Sequence, residues 1–177
     1  MKKRLVAACI WTCALLAAMV SSCSDDDTIE YNKTYVKYKL TLGPHFQMFY
    51  GIEVVYCDME GKVFNETVPS LELDSKSLRS TWSYKDEKDG DHDIKFGFKA
   101  IARCKPIPTS FDMTSNTTYD LSHSAAVSWY TKTTGAKVYA PTNKSIDPLK
   151  LDTAQLRSYL NTHQEIILMD YPTDVEQ

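Results

Sequence analysis

The side chains able to do chemistry are four histidines, five cysteines and an acidic run between Asp86 and Asp93. His45, His92, His123 and His163 never stand at H-x-x-x-H spacing, and the cysteines form no C-x-x-C pair, so no metal site is expected. The segment Asp89-Gly90-Asp91-His92-Asp93 alternates carboxylates that could converge on a hard cation. A helix-loop-helix calcium loop starting at Asp89 would need glycine at its sixth position and glutamate at its twelfth. Those positions hold Ile94 and Ala100, so the segment reads as a solvated hairpin between two strands. No Gly-x-Ser-x-Gly, phosphate loop or dinucleotide fingerprint occurs, and nothing pairs a nucleophile with a base. Neither an enzyme nor a cofactor is expected. The aromatics offer another chemistry: Tyr130, Tyr139 and Trp82 could form a flat platform that stacks on sugar rings or partner side chains. The same rings also suit ordinary cross-strand pairing, worth about 0.2–1 kcal/mol per pair, and that is the stronger expectation.

The N-terminus carries a different signal. Lys2, Lys3 and Arg4 precede an apolar run from Leu5 to Val20 that is interrupted only by Thr12. Charge followed by a short apolar run is the pattern of a signal peptide, and the run is too short for a confident spanning helix. It ends Val20-Ser21-Ser22-Cys23, which resembles a lipobox: an aliphatic residue, two small ones, then the cysteine whose thiol takes the lipid. Ser24-Asp25-Asp26-Asp27 follows, and adjacent carboxylates of this kind repel one another and stay solvated. Over residues 1–27 the chain resembles the small surface lipoproteins of the Bacteroidota. The resemblance implies a lipid anchor at Cys23 in the outer membrane, and it implies that Ser24, Asp25, Asp26 and Asp27 signal display on the cell exterior. It also implies possible O-glycosylation at Thr28 and Thr153, in the triplets Asp27-Thr28-Ile29 and Asp152-Thr153-Ala154. The domain plan is a signal peptide over 1–22, a lipidated acidic tether over 23–33 and a single domain over 34–177.

Loss of residues 1–22 leaves 155 residues with 17 basic and 23 acidic side chains, a net charge of −6 with histidines neutral. That length supports one domain with a real core. The negative balance argues against a nucleic-acid partner, because a phosphate backbone demands a basic face. All eleven tyrosines fall in this part, which marks a folded, aromatic-rich domain.

The elements follow from period-two patterns. Val36, Tyr38, Leu40 and Leu42 alternate with Lys37, Lys39 and Thr41, predicting a half-buried strand over 35–42 that Gly43-Pro44 ends. A second strand covers 49–57. Asp58-Met59-Glu60-Gly61 then predicts a type I turn and a three-residue hairpin with a bulge, setting Ile52 against Val68, Tyr56 against Phe64 and Asp58 against Lys62. Further strands are expected over 79–85, over 94–104 and, as a hairpin turning near Thr134-Gly135, over 125–132 and 137–140. A two- or four-residue loop there would set Tyr130 opposite Tyr139. Asp152 and Gln155 form a capping box that opens a helix over 153–163 with Leu156, Tyr159, Leu160 and His163 on one face, before a last strand over 166–171. Strand phase points Cys57 outward and Cys104 inward, against a disulfide between them.

The fold class expected is mainly β: an antiparallel two-sheet β-sandwich, an immunoglobulin-like or transthyretin-like Greek key, with one C-terminal helix. The expected function is that of an outer-membrane surface lipoprotein, a non-catalytic binding module for a glycan or protein. The alternative is a structural or accessory subunit of a surface fibre or envelope complex.

Overall fold

The alternation of the first strand becomes an alternation of burial. In the computed structural model, which describes residues 33–107, 117–131, 135, 137–139 and 145–171, strand β1 runs Lys33–Leu42 with every second side chain in the core. A single-turn helix α1 (Phe46–Phe49) follows, then strands β2 (Tyr50–Cys57), β3 (Val63–Thr67), β4 (Ser80–Asp89) and β5 (Phe98–Cys104). The chain continues through β6 (Tyr119–Asp120), β7 (His123–Tyr130), β8 (Lys137–Tyr139), β9 (Lys150–Leu151), helix α2 (Thr153–Thr162) and β10 (Glu165–Tyr171). One sheet has the order β4-β1-β7-β8 and the other β10-β5-β2-β3, and β6 and β9 pair apart from both. All pairings are antiparallel.

The two four-stranded sheets form the expected β-sandwich. Val36, Tyr38, Leu40, Leu42, Trp82, Ala125 and Val127 of one face Ile52, Val54, Tyr56, Phe98, Ala100 and Ala102 of the other. Aromatic rings bridge the gap, with Tyr38 stacked on Phe98 at 5.1 Å, Trp82 on Phe98 at 5.7 Å and Tyr56 edge-on to Trp82 at 5.5 Å. At the end of the sandwich where β1 finishes, Phe46, Phe49, Tyr119, Leu156 and Leu160 are buried in the same core. The first two strands lie in different sheets, whereas immunoglobulin domains pair them, so the strand order is not the immunoglobulin one.

The β2–β3 hairpin has the register its turn predicts. Tyr56 pairs with Phe64, the Val68 amide donates to the Ile52 carbonyl at 2.9 Å and the Asp58 amide to that of Lys62 at 3.1 Å. Gly61 sits at φ +88°, where a side chain would strain the backbone, and its amide closes the turn on the Asp58 carbonyl at 3.0 Å. Helix α2 starts at its capping box: the Asp152 carboxylate accepts from the Gln155 amide at 2.8 Å, and the Gln155 side chain accepts from the Asp152 amide at 3.0 Å.

Four sequence expectations need correction. The acidic stretch is no hairpin: β4 extends to Asp89 and β5 begins only at Phe98, in the opposite sheet, so residues 90–97 carry the chain from one sheet to the other. Tyr139 stands opposite Val127, and Tyr130 opposite Tyr35, because the connection between β7 and β8 is longer than a tight turn. Cys57 is buried, not outward, since the strand ends there and its side chain meets the Tyr38 hydroxyl. Lys33 belongs to β1 and not to the tether, pairing with Asp89. The cysteines themselves cannot bond: Cys104 pairs with Tyr50 at one end of β2 and Cys57 is at the other, roughly 20 Å away at strand rise.

One hydroxyl joins the two sheets. Tyr38, wholly buried on β1, donates to the Cys57 carbonyl at 2.8 Å and accepts from the Gly97 amide at 3.1 Å. Burial raises its phenol well above the usual tyrosine range, so it is a neutral donor at any physiological pH. Replacing Tyr38 by Phe keeps the ring and leaves a buried amide and a buried carbonyl without this partner. Chemical denaturation should show a loss of about 2 kcal/mol or more, against well under 1 kcal/mol if water takes over both groups.

Candidate functional site

The segment between β4 and β5 has no strand partners, so its shape rests on individual hydrogen bonds. At its start Gly90, at φ +87°, turns the chain. The buried Thr34 hydroxyl on β1 donates to the Gly90 carbonyl at 2.8 Å and accepts from the His92 amide at 3.1 Å. The His92 ring nitrogen Nε2 lies 2.7 Å from the Asp89 carbonyl, which can only accept, so Nε2 carries the proton in that bond. Further on, the Lys95 amide donates to the Met59 carbonyl at 3.1 Å, and the Gly97 carbonyl accepts from the Cys57 amide at 3.2 Å. Asp86, the first residue of the acidic run, spends its carboxylate on the Met59 amide at 2.9 Å. The connection is therefore tied to β1 at one end and to the β2–β3 turn at the other.

Its side chains line an open cleft of about 470 Å³ with the end of β7. Ile94, Phe96 and Trp129 supply apolar surface; Asp91, His92, Asp93 and Thr131 supply polar groups. Phe96 stacks on Trp129 at 4.8 Å and 21°, and Tyr171 of β10 tilts against Phe96 at 5.5 Å. Trp129 pairs with Val36 on the core-facing side of its sheet, but two positions beyond the fully buried Val127, so it closes the core rather than filling it. The cleft lies at the end of the sandwich where β1 begins, since Thr34 anchors its rim. The volume falls within the range of about 300–1,000 Å³ usual for small-ligand sites.

The structure does not assemble the platform proposed from sequence. Trp82 is in the core, 8% exposed, with its indole Nε1 donating to Glu66 at 2.9 Å across the β4 and β3 edges. Tyr130 lies on the opposite face of its sheet, 6% exposed and stacked on Tyr35 at 6.1 Å. Only the backbone of Tyr139 belongs to the described residues. Cys23, Ser24, Asp25, Asp26, Asp27 and Thr28 all lie outside them. Thr153 is half-buried at the first position of α2, beside the engaged Asp152 carboxylate. Phe96 and Trp129 are the aromatics that line a cleft. No motif marks them, because only tertiary structure pairs residues 33 positions apart. Compared with protein-family models, curated proteins and solved structures, the chain matches none.

A second polar cluster stands at the other end of the sandwich. Arg79 bridges Asp120 and Asp147 at 3.0 Å each. Asp120 also accepts from the Ser122 amide at 2.9 Å and from its hydroxyl, and its own amide donates to His45 Nδ1 at 3.0 Å. The Ser122 hydroxyl in turn accepts from the Leu149 amide at 2.9 Å. Serine, aspartate and histidine meet here without a relay, because His45 takes a backbone proton and Ser122 donates to the carboxylate. Burial pushes the Asp120 carboxyl upward, but the bonds from Ser122 and Arg79 outweigh it and hold it below the usual range. Gly43 packs so closely that a Cβ would sit 2.7 Å from the Asp120 carbonyl. Among the described residues, no group of three or more histidines, cysteines and acids is placed to hold a metal ion, and no helix is long and apolar enough to cross a membrane.

Within this cluster His123 is buried, and its ring Nδ1 donates to the Leu121 carbonyl at 3.1 Å. Desolvation lowers its pKa from 6.5, more than the Leu121 bond raises it. The unfolded chain therefore binds a proton that the folded one refuses. The stability this contributes is present above the unfolded pKa and is lost as pH falls below about 6.5 toward the depressed folded value. Unfolding free energy should drop between pH 7 and pH 5, and His123→Gln should flatten that slope; an unchanged slope in the variant would assign it to other groups.

Proposed function

We propose that this protein is an outer-membrane surface lipoprotein and a non-catalytic binding module whose ligand is a glycan. Lipid on Cys23 holds it to the membrane, and Ser24, Asp25, Asp26 and Asp27 direct it to the exterior. The observation that carries the binding reading is the cleft lined by the stacked Phe96 and Trp129 together with Asp91, His92, Asp93 and Thr131. Aromatic rings suit the apolar face of a sugar ring, and carboxylates, an imidazole and a hydroxyl suit its hydroxyl groups. The Ser122–Asp120–His45 contact works as a fastening, which supports a non-catalytic reading.

Titration of the soluble domain with a panel of oligosaccharides, followed by tryptophan fluorescence and calorimetry, tests the reading. At least one class should bind, and Trp129→Ala should weaken it about tenfold or more while the unfolding transition stays cooperative. A domain that binds no saccharide, or binds one equally well without Trp129, contradicts it. Protease treatment of intact cells tests the address. The native protein should be cut, and a variant with Asp25, Asp26 and Asp27 changed to alanine should be protected; protection of the native protein until the outer membrane is opened contradicts surface display.

A further inference from the structure

We infer that the outer face of the sheet β10-β5-β2-β3 is a contact surface for a second copy of this chain, packed face to face about a twofold axis. The register decides which side chains point away from the core. Glu165 stands beside Arg103, Ile167 beside Ile101 and Asp170 beside Lys99 across β10 and β5. On β2, Glu53 stands beside Ile101 and Val55 beside Lys99. On β3, Asn65 stands beside Val55, and Val63 lies one step further along. Ile167, Ile101, Val55 and Val63 therefore run as a continuous diagonal stripe across four strands. An antiparallel sheet with one solvated face normally sets polar residues on that face. The other sheet largely does so, with Lys37, Lys39, Thr41, Ser124 and Ser128 at outward positions of β1 and β7. A scattered exposed aliphatic needs no explanation, whereas a contiguous patch marks a contact site. Val63 is 47% exposed, and Ile101, Ile167 and Val55 are half-buried on the side away from Ala100, Ala102 and Val54.

The charges on the face select the partner. On one flank of the stripe Arg103 bonds Glu165 at 3.1 Å and also pairs with Glu53. On the other flank Lys99 and Asp170 stand opposite each other. A twofold axis lying along the stripe sets stripe on stripe. It also carries the Glu53–Arg103 pair of each copy over the Lys99–Asp170 pair of the other. Lys99 then meets a carboxylate and Asp170 a guanidinium, so the surface is its own complement, as an isologous contact requires. A partner of strong single charge would meet acids and bases interleaved and gain no such match. The size also fits a copy. Four strands about 4.8 Å apart, carrying seven-residue β5 and β10 at about 3.3 Å per residue, give a face whose burial by two copies is on the order of 1,000 Å² of accessible surface. That is the lower end for specific interfaces, so the dimer is a weak one in solution. None of the cleft residues belongs to this face, so a change on the face leaves the lining of the cleft intact.

Sedimentation velocity of the chain from Ser24 onward should show a monomer–dimer equilibrium with a dissociation constant of about 10–100 μM. Ile101→Glu should raise that constant about tenfold or more, and Val63→Glu severalfold, with unfolding still cooperative in both. If Ile101→Glu fails to fold, Val63→Glu carries the comparison from its exposed edge position. Lys99→Glu should weaken the dimer severalfold, and adding Glu53→Lys to the same chain should restore it. A chain that stays monomeric to about 500 μM, a dimer indifferent to the changes at Ile101 and Val63, or a Lys99→Glu defect that Glu53→Lys does not repair overturns the pairing. In cells, the full-length chain with a photo-crosslinking residue in place of Val63 should give a product containing two copies of the chain. A crosslink to a different protein would give the face another occupant and overturns the pairing, as does the absence of any crosslinked product.

Discussion

A phenol hydroxyl in a sandwich core must find both a donor and an acceptor, and at Tyr38 each comes from the facing sheet's side of the molecule. The Cys57 carbonyl belongs to the end of β2 and the Gly97 amide to the last residue before β5. Tyr38 therefore fixes where the chain enters β5 after crossing between sheets. Thr34, four residues earlier on β1, fixes where the same crossing begins. Residues 90–97 have no ladder to define them, so these two hydroxyls, with the Met59 and Cys57 backbone bonds, define them instead. The cleft is a consequence, because Asp91, His92, Asp93, Ile94 and Phe96 line it only while the crossing holds this path.

The ring of the same tyrosine explains why the crossing is packed as well as bonded. Tyr38 stacks on Phe98 and Tyr84 and meets Tyr56, so the hydroxyl is aimed from within an aromatic cluster that leaves it little freedom. Phe96, two residues before Phe98, then falls against Trp129 at the open end of the core. Aromatics alternate in role along this short stretch: Phe98 fills the core, and Phe96 lines the cleft. The polar cluster around Arg79 and Asp120 does the corresponding work at the other end, fastening the β6–β9 pair to the turn after β1.

Local rules carried much of the fold. The Asp58 to Gly61 turn determined the β2–β3 register because a short turn leaves no freedom of phase, and the capping box at Asp152 located α2 because both partners lie within four residues. Alternation found β1 and β2 for the same reason. What failed was non-local. Alternation in Trp82 and Tyr84 marked a strand but could not say that β4 and β5 belong to different sheets, so the acidic run read as a hairpin. The Tyr130–Tyr139 pairing depended on the length of a connection that sequence left open, and the real register places Tyr139 at Val127. The cleft was least legible, since it joins Asp91 to Phe96 with Trp129 and Thr131 through a tertiary contact that no motif announces.

The Tyr38 hydroxyl holds the inter-sheet crossing in place throughout the native state. Native-state hydrogen exchange at the Gly97 amide tests it most directly, because that amide's partner in the fold is the Tyr38 oxygen. Exchange should occur only through global unfolding, with a protection free energy equal to that of the core amides of β1 and β5. Exchange of Gly97 through a local opening, several kcal/mol below the core amides, would contradict it and would make the cleft a feature of one conformer rather than of the fold.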